Sequence, residues 1–107
     1  MDTHHRIDLF DALVLVETSD EAHRFMTDLC TPSEVRALAE RWKVCQLLND
    51  GFSYREIREE TGASLTTIGR VARFLNDEPY NGYKSLLDKI KKEERYEKVI
   101  YTVNSFG

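Results

Sequence analysis

The sequence predicts an all-α fold of about six helices, in a single domain that spans residues 1–107. Apolar residues recur three or four positions apart along most of the chain, and only two prolines and five glycines interrupt them. In addition, residues that cap helices stand directly before several of the apolar runs. So few prolines and glycines are not typical of an all-β protein.

Composition sets broad limits on the class of protein. With 41% hydrophobic and 32% charged residues, the 107-residue chain has a globular composition. A domain of this size buries a modest core, which favours self-association. Cys30 and Cys45 form no CxxC pair and are expected to be buried, reduced thiols. No signal-peptide pattern and no membrane-length apolar run occurs, so we expect a soluble cytoplasmic protein without membrane partners.

The first predicted helix, Ile7 to Thr18, is apolar around more than half of its circumference. A monomer of this size can hardly cover so wide an apolar surface, so we predict that the helix interlocks with a second copy of the chain. A buried strand is the alternative, because Val14-Leu15-Val16 is short and largely β-branched. Thr18 or Ser19 can cap the next helix, and residues 1–30 together form the predicted dimerisation segment.

A stronger boundary follows at Thr31-Pro32-Ser33-Glu34. Thr31 is a capping residue, proline suits the first helical position, and Glu34 stands three residues after the cap. We therefore predict a core helix within residues 31–51. Gly51 suits the left-handed conformation in which helices often end.

Residues 53–75 predict two short helices joined by a glycine turn. Ser53 caps the first helix, Thr61-Gly62-Ala63 forms the turn, and Ser64 caps the second. Ile57 and Ile68 are expected to meet where the helices cross. This arrangement is the helix-turn-helix pattern. A C-terminal helix is predicted over residues 80–98, followed by a β-prone tail, 99–107, that the pattern does not place.

Charge is unevenly distributed along the chain. Residues 1–34 carry a net charge of −6, residues 35–76 carry +2, and the remainder balances, which gives the overall −4. Because phosphate responds to charges within about 8 to 10 Å at ordinary salt, the local surplus favours DNA binding by the helix-turn-helix. The residues predicted to contact DNA are Tyr54, Arg55, Arg58, Ser64, Leu65, Thr66, Thr67, Gly69, Arg70 and Arg73.

Two other classes of function compete with DNA binding. Helix-turn-helix units also serve as protein-interaction modules without direct DNA readout, and the acidic N-terminal segment favours that alternative weakly. Catalysis is not indicated: His4, His5 and His23 are the only histidines, and no nucleophile, phosphate-loop or metal-binding spacing accompanies them. We predict neither catalytic residues nor a metal site.

Two segments carry a family resemblance. TPSEVRALAERWKVCQLL and SYREIREETGASLTTIGRVARFL resemble the tryptophan repressor superfamily, in particular its TrpR-like YerC/YecD branch. The resemblance implies an intertwined homodimer of six-helix subunits. It also implies a transcriptional regulator, a repressor, that binds double-stranded DNA at palindromic half-sites about 34 Å apart.

The resemblance also implies an effector pocket, with two departures from the family pattern. Arg41 and Arg70 match the arginines that sandwich tryptophan in tryptophan-binding members, and Thr31 matches a threonine at the pocket edge. Val71 replaces a glycine, and Phe74 replaces the serine that accepts a hydrogen bond from the ligand ammonium. Because a phenyl ring cannot accept that bond, the sequence argues against tryptophan and predicts no cofactor. We hypothesise that Phe74 fills the pocket from within; another effector, such as an anion, stays open.

Overall fold

The computed structural model describes residues 6–106 and the side chains of residues 6–94; His4, His5 and Gly107 lie outside this range. The described residues form six α-helices and no strand, which confirms the predicted fold class. None of these helices is long and apolar enough to cross a bilayer. The chain forms two compact units, the first ending at Leu38 and the second beginning at Ala39. The helices are α1 (Leu9–Val14), α2 (Ser19–Leu29), α3 (Pro32–Asn49), α4 (Tyr54–Thr61), α5 (Leu65–Asn76) and α6 (Gly82–Phe106).

The first helix is shorter than predicted. It ends at Val14 rather than Thr18, and the Leu15 N–H donates to the Ala12 carbonyl. The physical reason lies in the next helix, because Thr18 is its N-cap and takes an extended backbone, with φ −132° and ψ 159°. Its hydroxyl accepts a hydrogen bond from the Glu21 N–H at 3.1 Å. A residue in that conformation cannot also continue α1.

The two N-terminal helices bury no residue within their own chain. Phe10 is 74% exposed and Val14 is 82% exposed, although both are large apolar side chains. Folding of the single chain therefore leaves the apolar surface of α1 in water, where it is unfavourable at about 25 cal/mol per Å².

Helix α3 begins and ends as the sequence predicts. The Thr31 hydroxyl accepts from the Glu34 N–H at 3.2 Å, and the Glu34 carboxylate accepts from the Thr31 N–H at 2.8 Å. These reciprocal bonds form the predicted capping box. Gly51, with φ +90°, follows the helix in the left-handed region.

The second unit has its own apolar core, formed by α3, α4, the turn after α4, and α5. Val44 and Cys45 come from α3, and Ile57 from α4. Burial raises the pKa of the Cys45 thiol to about 11. Among residues 6–94, the buried apolar residues are Val44, Cys45, Ile57, Ala63, Ile68, Val71, Ala72 and Leu75. Four of these residues, Ile68, Val71, Ala72 and Leu75, come from α5.

The C-terminal helix differs from the prediction at both ends. It begins at Gly82 rather than residue 80 and continues through residues 99–106, which were predicted as a tail. Asn81 adopts a left-handed φ of +58°, and its carbonyl accepts from the Ser85 N–H, so the helix starts after it. At the other end, extending an existing helix adds one hydrogen bond for each residue fixed and needs no new nucleation step. The β-branched residues after Lys98 therefore do not stop it.

Candidate nucleic-acid interface

Helix α4 starts at a second capping box. The Ser53 hydroxyl accepts from the Glu56 N–H at 3.1 Å, and the Glu56 carboxylate accepts from the Ser53 N–H at 2.9 Å. The Ser53 backbone N–H, which donates to the carboxylate, is the main group that holds the pKa of Glu56 below its usual value, and the Ser53 side chain adds to the effect. The first helix of the pair thus has a fixed beginning, as predicted.

The turn after α4 is fixed by one glycine and one threonine. Gly62 caps the helix with φ +75°, a conformation that side chains disfavour. The Thr61 hydroxyl donates to the Ile57 carbonyl at 2.8 Å and accepts from the Ala63 N–H at 3.1 Å. Ala63 is 1% exposed, so the turn also contributes to the core. Ile57 and Ile68, both fully buried in that core, belong to the two helices on either side.

Helix α5 begins at Ser64, whose hydroxyl accepts from the Thr67 N–H at 3.1 Å. The same hydroxyl donates to the Thr67 hydroxyl at 3.1 Å, which keeps the Thr67 side chain beside the cap. No acidic residue lies in the first turn of α5. The positive end of the helix dipole is therefore not offset by a carboxylate of its own first turn.

The outer surface of α5 is open to solvent. Leu65 is 52% exposed, and Thr66 and Arg70 are also exposed. Thr67 and Gly69 are half-buried on either side of the buried Ile68. Because Ile68 anchors the helix from the opposite side, this turn of α5 presents hydroxyls, a leucine and a guanidinium outward.

Gly69 leaves unused space on this surface. A Cβ atom built there would meet nothing within 4 Å, and the backbone φ is ordinary. Glycine in a helix interior is less stable than alanine by about 0.5–1 kcal/mol. Nothing in the described part of the chain requires a glycine at this position.

Basic residues of α4 lie close in sequence to this surface. Arg55 has a side chain that is 89% exposed and pairs with Glu59 at 3.3 Å. Arg58 is also exposed, and Tyr54 is 44% exposed at the start of the helix. Arg73, near the end of α5, is exposed and lies 3.9 Å from Glu78. An exposed pair of this kind contributes at most about 1 kcal/mol, so these arginines can exchange partners at little cost.

The residues predicted for an effector pocket differ in exposure and in the contacts that they make. Thr31, in the first unit, uses its hydroxyl in the α3 capping box, and Arg41 is half-buried on α3. Val71 is 1% exposed and belongs to the core. The Phe74 ring is half-buried, and the Arg70 Cζ lies 4.4 Å from its centroid. The Arg70 guanidinium thus already has an aromatic partner from its own helix, and Phe74 offers no hydrogen-bond acceptor. Phe74 therefore provides no acceptor for the ammonium group of tryptophan.

Two aromatic pairs were not predicted from the sequence. Phe74 also stacks on Tyr80, with ring centroids 6.2 Å apart and planes inclined by 16°. The four-residue spacing of Arg70 and Phe74 on a helix was a usable signal for the stacking of those two side chains. The position of Tyr80 had no such signal, because it depends on the path of the chain after α5.

Tyr83 forms the second aromatic pair, with Trp42, at a centroid distance of 6.3 Å. Burial raises the pKa of the Tyr83 phenol, and the Cys45 thiol adds to that effect. The guanidinium groups of Arg41 and Arg70 act in the opposite direction. The phenol thus lies within the electrostatic reach of both arginines.

The geometry defines a helix-turn-helix module, and comparisons with known proteins agree with that fold. The family model described as Trp repressor protein matches residues 5–99. An uncharacterised protein, YerC from Bacillus subtilis, is 41% identical over 86 residues, which are 80% of this chain and 82% of YerC. The chain therefore belongs to the Trp repressor family, in the TrpR-like branch that includes YerC.

Solved structures are similar to this chain as well. The crystal structure of a candidate Trp repressor from Staphylococcus aureus has a TM-score of 0.73 and 37% identity, covering 78% of this chain and 82% of that one. The structure of a TrpR-like protein from Eubacterium eligens also has a TM-score of 0.73 and 37% identity, covering 78% and 84%. The helix-turn-helix regulator fold predicted from the sequence is confirmed.

Proposed function

We propose that the protein is a sequence-specific DNA-binding transcriptional regulator, a repressor, that acts as a homodimer in the cytoplasm and does not respond to tryptophan. The observation that carries the proposal is the exposure of Leu65, Thr66 and Arg70 on a helix whose other side is anchored by Ile68. Had this surface been packed inside its own subunit, it would be closed to a duplex. A helix held in this way can place its first turns in the major groove.

The side chains on α5 have the chemistry that base edges require. Threonine hydroxyls can donate or accept hydrogen bonds, and the exposed leucine can contact the methyl group of thymine. The capped N-terminus of α5 attracts phosphate through its dipole and its free N–H groups. Arg55 and Arg58 on α4 supply charge for the backbone. The chain is acidic overall, but the net charge of residues 35–76 is +2.

The exposed apolar residues of the first unit support the homodimer. Ile7, Phe10 and Val14 are each at least 60% exposed in the single chain. A second copy would cover them by the same surface on both subunits, as in a two-fold interface. Two recognition helices would then read a palindromic site.

Selection of bound sequences from random duplex by the purified protein tests sequence-specific binding. A recovered palindrome is the expected result, and recovery of unrelated sequences would contradict specific readout. On the selected site, Thr66→Ala should weaken the binding free energy by about 1–3 kcal/mol, and it should relax the preference for the base at particular positions. A uniform loss across all sequences would make Thr66 a backbone contact instead.

Salt dependence tests the alternative of a protein-interaction module. Duplex affinity should fall steeply with salt, and Arg55→Ala and Arg58→Ala should each reduce the logarithmic slope by about 0.9. Arg24→Ala is the matched control, because Arg24 forms an exposed i, i+4 pair with Asp20 at 3.0 Å, as Arg55 does with Glu59. If Arg55→Ala and Arg58→Ala behaved like Arg24→Ala, the DNA function would be wrong.

A further inference from the structure

Phe74 is the centre of a cationic and aromatic cluster at the end of α5. The Arg70 Cζ lies 4.4 Å from its ring centroid, and the Arg73 Cζ lies 5.1 Å from it. Tyr80 stacks on the same ring at 6.2 Å. Two guanidinium groups thus share one aromatic partner, within the second unit.

Local structure explains how the cluster is held. Arg70 precedes Phe74 by four residues, so both side chains lie on the same face of α5. The Arg73 carbonyl accepts from the N–H groups of Asp77 and Glu78, at 2.8 and 3.1 Å, which ends the helix there. The chain then turns and brings Tyr80 back onto Phe74. The ring is therefore supported by its own helix and by the segment that follows it.

The cluster brings two positive charges together, and their acidic neighbour is only loosely paired. Two guanidinium groups repel each other, and the negative face of an aromatic ring offsets part of that repulsion. Glu78 is an acidic neighbour, and its contact with Arg73 is long, at 3.9 Å, between an exposed guanidinium and a half-buried carboxylate. A tetrahedral phosphate, which guanidinium binds through paired hydrogen bonds, is the natural counter-ion for such an arrangement.

The position of Arg70 and Arg73 along α5 favours the DNA backbone over a base edge. They lie five and eight residues after Leu65, the first residue of α5, or about 8 and 12 Å further along the helix axis. Their guanidinium groups lie against the Phe74 ring, at 4.4 and 5.1 Å from its centroid. When the first turn of α5 occupies the major groove, groups this far along the helix can reach the backbone beside the groove.

We propose that Phe74 holds Arg70 and Arg73 as a preformed clamp for a backbone phosphate, so duplex binding needs no small molecule. This inference rests on the proposed DNA-binding function and assigns its regulation. In this chain the ring fixes the arginines itself, and the side-chain freedom that binding would otherwise remove is already restricted in the free protein.

The test compares Phe74→Leu with Phe74→Tyr in salt titrations of binding to the selected duplex, with no small molecule added. Removing the ring that both guanidinium groups stack on should weaken binding about three- to tenfold in Phe74→Leu. Its logarithmic salt slope should fall by about 0.9 for each phosphate that the arginines no longer neutralise. Phe74→Tyr keeps the ring and should match the wild type. Phe52→Leu is the control, because it removes an exposed aromatic ring of the same unit outside the cluster.

A double-mutant cycle separates positioning from simple destabilisation. In an Arg70→Gln, Arg73→Gln background, Phe74→Leu should cause no further decrease in affinity, because the groups it positions are gone. If Phe74→Leu does not fold, Arg70→Lys with Arg73→Lys replaces it. Lysine keeps the charge without the planar stacking group. The same three- to tenfold decrease in duplex affinity is expected, because a loss of that order corresponds to a lost cation–π interaction.

Several outcomes would overturn the inference, and they are distinguishable. If the wild type binds duplex only after L-tryptophan or another small molecule is added, the ligand-free clamp is wrong and the regulator stands. If Phe74→Leu and Phe74→Tyr share one affinity and one salt slope, the positioning role is wrong. If the wild type binds no duplex under any condition, the proposed function itself fails, and the inference with it.

Discussion

The two units of the chain differ in whether their apolar side chains are buried. Among the residues with described side chains, the second unit buries eight apolar ones, including Ile57 and Ile68 on the two helices of the helix-turn-helix. The helices α1 and α2 of the first unit bury none, although α1 is rich in leucine, valine and phenylalanine. The difference teaches that the unit with the helix-turn-helix has an apolar core of its own, whereas helices α1 and α2 leave their apolar side chains exposed in the single chain.

The largest expected effect is in the core of the second unit. Ile68→Ala should lower the free energy of unfolding by about 2–5 kcal/mol, because Ile68 is fully buried and the deletion leaves a cavity. Leu65→Ala, on the exposed side of the same helix, is the control and should change it by about 0.5 kcal/mol or less. Chemical denaturation measures both, and equal losses would contradict the assignment of a core side and a free side to α5.

The next effect is on association through the first unit. Phe10→Glu should weaken the proposed homodimer by about 2 kcal/mol or more, because a charge would replace a large apolar side chain that a partner has to cover. Analytical ultracentrifugation measures the shift toward monomer. Phe10→Leu keeps an apolar side chain and should remain largely dimeric. A monomeric wild type would remove the explanation for the exposed α1 surface.

Loss of one capping group should have a smaller effect. Ser53→Ala removes the acceptor for the Glu56 N–H at the start of α4 and should destabilise the second unit by about 1 kcal/mol. Ser53→Asp keeps an acceptor and is the control. Thermal melting followed by circular dichroism distinguishes them, and identical melting curves would show that the cap is not needed.

The two glycines of the helix-turn-helix should respond in opposite directions. An added Cβ meets nothing within 4 Å at Gly62 or at Gly69, but only Gly62 has a left-handed φ. Gly69→Ala should stabilise the protein by about 0.5–1 kcal/mol, and Gly62→Ala should destabilise it by about 1–2 kcal/mol. Denaturation tests both signs. If Gly69→Ala also weakens duplex binding, the free space at Gly69 serves close approach to DNA; unchanged binding would contradict that use.

The smallest expected effect is a pH dependence shared by both units. The capping bonds hold the pKa of Glu34 in the first unit and of Glu56 in the second below the ordinary value. A carboxyl group with a lowered folded-state pKa stabilises fully above its unfolded pKa, and this contribution is lost as the pH falls through the folded value. The stability difference between wild type and Glu56→Ala should therefore narrow below about pH 4. A constant difference across the acid range would contradict the role of the carboxylate.

The sequence predicted features that depend on local chemistry better than features that depend on the path of the chain. The capping boxes at Thr31 and Ser53 and the turn at Gly62 were predictable, because each is specified by residues within four positions. The end of α1 was wrong, because the extended conformation of Thr18 outweighs the apolar pattern before it. The extension of α6 beyond Lys98 was also not predicted, since β-propensity depends on context that a single segment does not contain.

The candidate site follows the same rule. The outward positions on α5 follow from helical periodicity once Ile68 is taken as buried, and the structure agrees. The stacking of Tyr80 on Phe74 could not be predicted, because it depends on how residues 77–81 turn after α5. DNA contact by the outward residues stays a prediction, as does the role of Arg41.

The position of Trp42 makes it a built-in optical reporter. It is the single tryptophan of the chain, it belongs to the second unit, and its indole lies 6.3 Å from the Tyr83 ring. Its fluorescence emission therefore originates from the unit that carries the helix-turn-helix, and excitation of Tyr83 can pass to it by energy transfer. Stopped-flow refolding followed by the fluorescence of Trp42 would measure the folding rate of the unit that carries the helix-turn-helix, without any added label.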